Sequence, residues 1–178
     1  MAATVNVREK NGTGETPTIK DGGTVRFKNA DNATVDLVNP LVVPTANTEY
    51  SFEKVLRMYI GATGPSSQIT NLEFYMDATK GWQAGVKLWA IVSAAFYQPA
   101  VPTQTNDPPL CPVGHATPAA CTDAFTYVSA TPLSLGTGPY SATTTDMGSY
   151  LYLVMEVEIG STPALLATET ATFEYDEI

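Results

Sequence analysis

Apolar and polar residues alternate along several short runs of the chain, which is the period of a β-strand with one buried face. The clearest run is Tyr150–Ile159, whose odd-numbered residues are all apolar. On the opposite side lie Tyr152, Glu156 and Glu158. The pattern therefore predicts a strand with one apolar face and one mostly wet face.

Other runs follow the same period. The run Val86–Ser93 has apolar residues on both sides of the alternation and predicts a strand that is covered on both faces. The stretch Gly61–Ser67 lacks the lysine of a phosphate-binding loop and is interpreted as a hairpin connection. Five further runs are candidate strands because of their alternation or their β-forming residues: Val55–Ile60, Leu72–Asp77, Thr4–Arg8, Thr24–Lys28 and Thr170–Tyr175.

Turn-forming residues separate these runs, and no segment shows clear helical periodicity. Many short strands without intervening helices are typical of antiparallel sheets that stack face to face. The sequence therefore predicts an all-β fold, an antiparallel β-sandwich or jelly-roll-like single domain over residues 1–178. A chain of this length can bury a sizeable hydrophobic core.

Residues 98–122 hold six of the thirteen prolines together with Cys111 and Cys121. Because proline cannot donate to a sheet ladder, this segment is predicted to be a long proline-rich surface loop rather than a central strand. This loop and the N-terminal segment are the parts expected to be least committed to the core. Both are therefore predicted to reach neighbouring molecules.

Charge is distributed unevenly along the chain. All nine Lys and Arg residues lie at or before Lys87, and nine of the eighteen acidic residues follow it. The net charge of -9 therefore arises in the second half. Such an anionic surface disfavours nucleic acid and anionic membranes as partners, since both are held by Lys and Arg. No apolar run of the sequence is long enough to cross a bilayer.

Few residues suggest chemistry. His115 is the only histidine, and no nucleophile-elbow motif accompanies it, so no catalytic residue is predicted. Cys111, His115 and Cys121 could bind zinc, but their spacing matches no common site and a fourth ligand is missing. Neither a metal nor a cofactor is therefore predicted. The two cysteines are expected either to form a disulfide or to remain free thiols.

Aromatic residues on or near the predicted strands could form an exposed contact surface for a glycan or for another protein: Trp82, Trp89, Tyr75, Tyr150 and Tyr152. Aromatic strand residues more often belong to a core or an interface, so glycan binding is kept as an alternative. The acidic run Glu174–Glu177 near the C-terminus is interpreted as a solvated or partner-facing tail.

Parts of the sequence resemble a group of small virion structural proteins of tailed bacteriophages. The resemblance is carried by four segments: Ser51–Arg57, Ile69–Tyr75, Gly85–Trp89 and the ending Thr172–Ile178. These segments combine a strand with Glu-Lys and a following Leu-Arg, a strand with Asn-Leu and aromatic residues, and a strand that ends in Leu-Trp. The likeness covers residues 1–95 and the last part of the chain, and it leaves out the proline-rich loop.

The resemblance implies a non-enzymatic particle protein, and the leading hypothesis is a capsid decoration (cement) protein that stabilises the phage head through protein–protein contacts. Its expected partners are the major capsid protein or other virion proteins, and copies of itself in a homo-oligomer. Alternatives are a neck or collar protein, a tail or fibre-anchor protein, and a virion carbohydrate-binding module. The N-terminus lacks the pattern of a secretory signal, which predicts synthesis in the host cytoplasm before incorporation into the virion.

Overall fold

The computed structural model describes residues 3–62, 68–77, 79–103, 106–141, 144–163 and 166–178, and over these residues the fold is all-β. One short 3-10 turn, Ala124–Thr126, is the only helical element that the described residues contain. The strands are β1 (Thr4–Asn11), β2 (Thr16–Ile19), β3 (Glu49–Tyr50), β4 (Lys54–Ala62), β5 (Ile69–Met76), β6 (Val86–Ser93), β7 (Leu110–Cys111), β8 (Ala119–Ala120), β9 (Thr122–Asp123), β10 (Leu133–Gly136), β11 (Thr145–Val157) and β12 (Ala171–Glu177).

The strands form a large sheet and a small sheet, and every pairing in both is antiparallel. The large sheet has the order β2-β1-β4-β11-β6-β9, and β3 also pairs with β11. The small sheet has the order β10-β5-β12. A separate hairpin pairs β7 with β8 inside the proline-rich segment. β11 is the centre of the large sheet, because it pairs with both β4 and β6 along its length.

The main hydrophobic core lies between the two sheets. Alternate residues of β4, β6 and β11 meet alternate residues of β5 and β10 there, including Leu56, Met58, Leu72, Phe74, Leu88, Leu135 and Leu151. Full burial of one such side chain contributes about 1.5–3 kcal/mol relative to leaving it in water. The prediction of an all-β, sandwich-like domain is confirmed, and the alternation identified the inner faces correctly.

The outer face of the large sheet is buried as well. There Tyr50, Trp89 and Val154 pack with Cys111 and Cys121 in a second apolar cluster. The two cysteines come from the proline-rich segment (residues 98–122), which therefore folds back over the sheet. β6 is covered on both faces, as predicted.

The prediction that one face of β11 is mostly exposed to water is wrong, because the proline-rich segment covers that face. Tyr152 is 0 % exposed and Glu156 is 1 % exposed, although both point away from the main core. Ile159 lies outside the strand, which spans Thr145–Val157, and it is exposed. The proline-rich segment is thus a cover with its own hairpin, and the expectation that it is little committed to the core is corrected. That it reaches neighbouring molecules stays a prediction.

Three shorter predictions also change. Thr24–Lys28 forms no strand but belongs to the strand-free residues 20–48. The stretch predicted as a hairpin connection leads from β4 to β5, which lie in different sheets, and residues 63–67 of it are outside the described residues. Thr4–Arg8 does form a strand, within β1, between β2 and β4. The N-terminal segment is therefore committed to the sheet rather than free to reach a neighbour.

Candidate functional site

The five aromatic residues predicted to form a contact surface do not lie together at the surface. Trp89, Tyr150 and Tyr152 are buried, with exposed fractions of 8 %, 6 % and 0 %. Tyr75 and Trp82 are half-buried. The structure therefore corrects this prediction, because Phe96, Tyr97 and the proline-rich segment pack over the outer face of the large sheet.

The buried rings also satisfy their polar atoms within the chain. Trp89 Nε1 donates to Glu156 Oε2 at 2.6 Å. The hydroxyl oxygen of Tyr152 accepts a hydrogen bond from the backbone N–H of Tyr97 at 2.6 Å. A buried Trp or Tyr normally finds such a partner. Tyr152 thereby anchors the chain at Tyr97, whereas Trp89 is paired with the neighbouring strand β11.

Glu53 lies beneath the cover and is 0 % exposed. Its carboxylate accepts hydrogen bonds from the backbone N–H groups of Ala100 at 3.2 Å and Val113 at 2.8 Å. One side chain therefore holds two separate parts of the proline-rich segment. Burial raises the pKa of Glu53 to about 7, although the hydrogen bonds from Val113 and Ala100 oppose this shift.

This pKa predicts that the protein loses stability as the pH rises towards neutrality. The folded protein binds the Glu53 proton up to about pH 7, whereas the unfolded chain releases it near the ordinary value of 4.5. The free energy of unfolding should therefore fall between these values and level off above pH 7. The full change is about 3 kcal/mol. Glu53→Gln should flatten this slope, and Glu174→Gln, at an exposed carboxylate, should not. Urea denaturation at a series of pH values measures both slopes, and equal slopes for the wild type and Glu53→Gln would contradict the prediction.

The cysteines are free thiols, 0 % and 4 % exposed. The side chain of Cys111 is in hydrogen-bonding contact with Cys121 and with Glu53. His115 is engaged elsewhere, since its Nδ1 accepts from the backbone N–H of Thr117 at 2.9 Å. Among the described residues, no group of three potential metal ligands contains a cysteine or this histidine. The zinc alternative therefore has no assembled ligand set.

Three carboxylates do come close enough to share a metal ion: Asp107, Glu156 and Glu158. A lysine already neutralises them. Lys87 Nζ lies 2.7 Å from Glu158 and 3.4 Å from Glu156, and it also contacts Asp107. Burial alone would lower the pKa of Lys87, but hydrogen bonds with Asp107 and Glu158 outweigh this and raise it. The ammonium group of Lys87 occupies the position that a metal ion would take, so the cluster is a network of ion pairs.

The two most exposed large apolar side chains of the described residues are neighbours in a segment that we call the apolar turn (residues 35–42). Leu37 and Val38 are 88 % and 86 % exposed. Val35 and Val42 are also exposed. Single exposed apolar residues are common, but four in eight positions make this segment a candidate contact surface.

The apolar turn is built around Asp36. Its carboxylate accepts hydrogen bonds from the backbone N–H of Val38 at 2.9 Å and from the side-chain amide of Asn39, also at 2.9 Å. These hydrogen bonds lower the pKa of Asp36 to about 2, and the bond from the Asn39 side chain contributes most. The carboxylate therefore remains ionised at physiological pH and keeps Leu37 and Val38 pointing into solvent.

Three lysines hold the chain that precedes the turn, and we call them the lysine anchor. Lys20 Nζ donates to the carbonyl of Ala33 at 2.8 Å, and Lys54 Nζ donates to the carbonyl of Asn32 at 2.9 Å. Lys28 Nζ donates to the next carbonyl along, that of residue 34. Three consecutive carbonyls are thus fixed by ammonium groups. Burial and the neighbouring charge of Lys54 lower the pKa of Lys28.

Glu9 balances this positive charge from strand β1. One of its oxygens lies 3.2 Å from Lys54 Nζ, and both side chains are fully buried. The other oxygen lies 3.1 Å from Lys20 Nζ and forms an ion pair with it, but the angles do not fit a hydrogen bond. Asn11 Nδ2 also donates to Glu9, at 3.2 Å. A network of buried ion pairs therefore connects the chain before the apolar turn to strand β1 of the large sheet.

The outward-facing charge is almost entirely negative. All charged residues of the chain lie in described segments, and one basic side chain, Arg26, is exposed. The exposed acidic side chains are Asp21, Asp77, Asp107, Glu174, Asp176 and Glu177. The other Lys and Arg side chains are buried or half-buried. A partner surface with exposed Lys and Arg would therefore complement this protein, and a second copy of the chain would repel it.

An open groove of about 740 Å³ lies beside the proline-rich segment. Its lining includes Phe52, Phe96, Tyr97 and Pro99, and it contains no charged side chain. The ring of Tyr97 packs at a tilt of 54° against that of His115, with centroids 4.8 Å apart. Aromatic rings beside neutral groups are a chemistry that suits an uncharged ligand.

Comparison with models of protein families, with curated proteins and with solved structures finds no match for this chain. Within the described segments, no helix has both the length and the apolar character needed to cross a membrane.

Sequence reasoning missed both the apolar turn and the buried carboxylates. A signal for the turn is present, because an apolar run is interrupted by Asp36 and by Asn39-Pro40. Aspartate and asparagine favour side-chain-to-backbone turns, which expose the residues between them. Glu9 and Glu53 carry no comparable signal, since each lies beside a lysine and looks like part of a solvated strand edge.

Proposed function

We propose that the protein is a non-enzymatic structural component of a tailed bacteriophage virion, and specifically a capsid decoration protein that stabilises the head through protein–protein contacts. The observation that carries this proposal is the apolar turn: Leu37 and Val38 are exposed in a segment that hydrogen bonds of Asp36 and of the lysine anchor hold in place. The resemblance in strand residues supports the same class of protein. The ionisable groups that could do chemistry are already engaged within the chain.

In this proposal the apolar turn inserts into an apolar pocket of the major capsid protein. Burying Leu37 and Val38 would contribute about 1.5–3 kcal/mol for each side chain. The turn is held by Asp36 and by the lysine anchor, so little conformational freedom is lost on binding. Contacts that exist only on the assembled shell stabilise that shell by mass action.

The exposed acidic residues would meet basic residues around the pocket. Such complementarity increases the association rate and discriminates between partners more than it adds affinity. Binding should therefore weaken as the salt concentration rises, since exposed charges are screened within about 10 Å at 0.1 M salt. A homo-oligomer would have to form through the less acidic faces of the protein.

The number of copies per particle tests this proposal against a neck, collar or tail position. Quantitative mass spectrometry of purified particles should find this chain in hundreds of copies, in a fixed ratio to the major capsid protein. A count between six and a few dozen would favour a ring or fibre anchor at the neck or tail. Removal of the protein and its re-addition to stripped particles should lower and then restore the temperature at which heads release DNA.

A second candidate function, binding of a neutral glycan, is favoured by the groove lined by Phe52, Phe96 and Tyr97. These rings, rather than Trp82 or Trp89, would stack on the sugar. A glycan array with wild-type protein and a Tyr97→Ala variant tests it. A signal that Tyr97→Ala abolishes would support glycan binding, and an array without any signal would remove it.

A further inference from the structure

The two cysteines occupy one face of the small hairpin in the proline-rich segment. Cys111 pairs with Ala119 across β7 and β8, and Cys121 follows two residues after that position. The backbone N–H of Cys121 donates to the carbonyl of Pro109 at 3.1 Å, which extends the hairpin ladder to it. Both side chains therefore point to the same side, where they belong to one buried cluster with Trp89 and Val154 of the large sheet.

We propose that Cys111 and Cys121 are a redox pair that forms an intramolecular disulfide when the protein meets a low-molecular-weight disulfide such as oxidised glutathione, and that the bond locks the proline-rich segment over the large sheet. The two cysteines are diagonal neighbours on one face of the hairpin, a position that places residues about 7–8 Å apart, so closing the bond requires the two hairpin strands to move towards each other. Disulfide geometry requires the sulfur atoms to approach to about 2 Å with the Cβ atoms about 4 Å apart.

A route for the oxidant exists at the surface. A cavity of about 230 Å³ opens beside the hairpin, and its lining includes Cys111, Pro112 and His115. Cys111 lines this cavity although it is 0 % exposed to bulk solvent, so the oxidant has to enter the cavity to reach it. Cys121 does not line the cavity and is placed to complete the bond.

The exchange is balanced with the oxidant as the only co-reactant. Cys111 gives its proton to the Glu53 carboxylate, and its sulfur attacks one sulfur of the disulfide RS–SR, which releases RS⁻. The sulfur of Cys121 then attacks Cys111 in the mixed disulfide, loses its proton and releases the second RS⁻. Both thiolates leave as RSH, so the protein loses two electrons and two protons and the oxidant gains them.

Glu53 is a positioning and proton-accepting residue in this scheme. It contacts Cys111 directly, and the other ionisable groups that face it are Asp31 and Tyr152. Its raised pKa, close to neutral, suits proton exchange with a thiol. The interaction with Cys121 raises the pKa of the Cys111 thiol most, and burial of the thiol raises it further. We therefore expect exchange to be slow, with a rate that rises through the titration of Glu53.

The bond would matter for a protein that is made in a reducing cytoplasm and then persists outside the cell, a setting that rests on the proposed virion function. The chemistry itself is tested without any particle. A failure of the disulfide therefore leaves the proposed function standing, and a failure of the function leaves the disulfide standing.

The test treats reduced full-length protein with excess oxidised glutathione and then alkylates the remaining thiols in denaturant. We expect a monomer without glutathione whose two thiols no longer react, and a thermal midpoint about 5 °C higher, reversible by dithiothreitol. Both cysteines lie beyond the last trypsin site at Lys87, so a tryptic digest leaves them in one peptide. With the bond formed, this peptide is lighter than the same peptide with two alkylated thiols. Thiols that stay reactive at equilibrium, stable glutathione adducts on the wild type, or linked dimers would overturn the proposal.

Two variants separate a redox pair from two independent thiols. Cys121→Ser should stop the reaction at the mixed disulfide on Cys111, with no rise in the midpoint. Glu53→Gln should reach the same final state more slowly and lose the rate increase near pH 7. If the serine variant does not fold, the mass of the oxidised wild type still decides the question, since a glutathione adduct adds the mass of glutathione whereas the intramolecular bond only removes two hydrogen atoms.

Discussion

Replacing Glu9 with glutamine is expected to lower the free energy of unfolding by about 3–5 kcal/mol, because it leaves two buried ammonium groups without their anion. Glu9 is fully buried between Lys54 at 3.2 Å and Lys20 at 3.1 Å. Glutamine keeps the size of the side chain and removes only its charge. Urea denaturation followed by circular dichroism measures the loss.

Glu174→Gln is the matched control for this substitution. Glu174 is exposed on strand β12, where removal of a charge should change stability by less than about 0.5 kcal/mol. A loss below about 1 kcal/mol for Glu9→Gln would contradict the buried network. Because Lys20 and Lys54 also hold the chain before the apolar turn, Glu9→Gln should loosen that turn as well.

The double substitution Leu37→Asp and Val38→Asp is expected to weaken binding to phage heads by at least about thirtyfold, which corresponds to about 2 kcal/mol. Both side chains are almost fully exposed, so the thermal midpoint of the isolated protein should stay within about 2 °C of the wild type. Sedimentation with heads stripped of the protein measures the affinity.

Ile159→Asp is the control for this pair of substitutions. Ile159 is also exposed, at 59 %, but it lies away in sequence from the apolar turn, just after β11. The control should bind as the wild type does. Wild-type affinity in the double variant would show that the apolar turn is not the contact element. A lower midpoint in that variant would show that the turn supports the fold instead.

The inner layer of the fold could be predicted from the sequence because a period of two identifies a face that is buried against a neighbouring sheet. β4, β5, β6 and β11 were located in this way, and the pattern around Leu88 and Trp89 also indicated burial on both sides of β6. These elements depend only on neighbouring residues in one strand, which is the information that a single sequence contains.

The outer layer could not be predicted, because it depends on contacts between distant segments. Glu156 looks like a solvent-facing residue, yet it is buried because the proline-rich segment covers the strand and because Trp89 donates to it. The pairing of Glu9 with Lys54 spans 45 residues. A polar residue on a strand has the same appearance in a sequence whether it faces water or a buried partner.

The segment Thr24–Lys28 shows a related limit. Its residues favour a strand by composition, but no neighbouring strand pairs with it, and Lys28 serves instead to hold the chain before the apolar turn. Strand propensity is largely a preference for a half-buried pleated surface and cannot create a partner. The apolar turn was missed because its apolar residues follow no period.

Cryo-electron microscopy of the intact particle tests the central claim most directly, namely that this chain acts as a decoration protein by inserting its apolar turn into the shell. The map should show the sandwich on the outside of the head, with Leu37 and Val38 seated in an apolar pocket of the major capsid protein and basic residues around it. Density for the chain only at the neck or tail, or on the head with the apolar turn facing solvent, would contradict the claim.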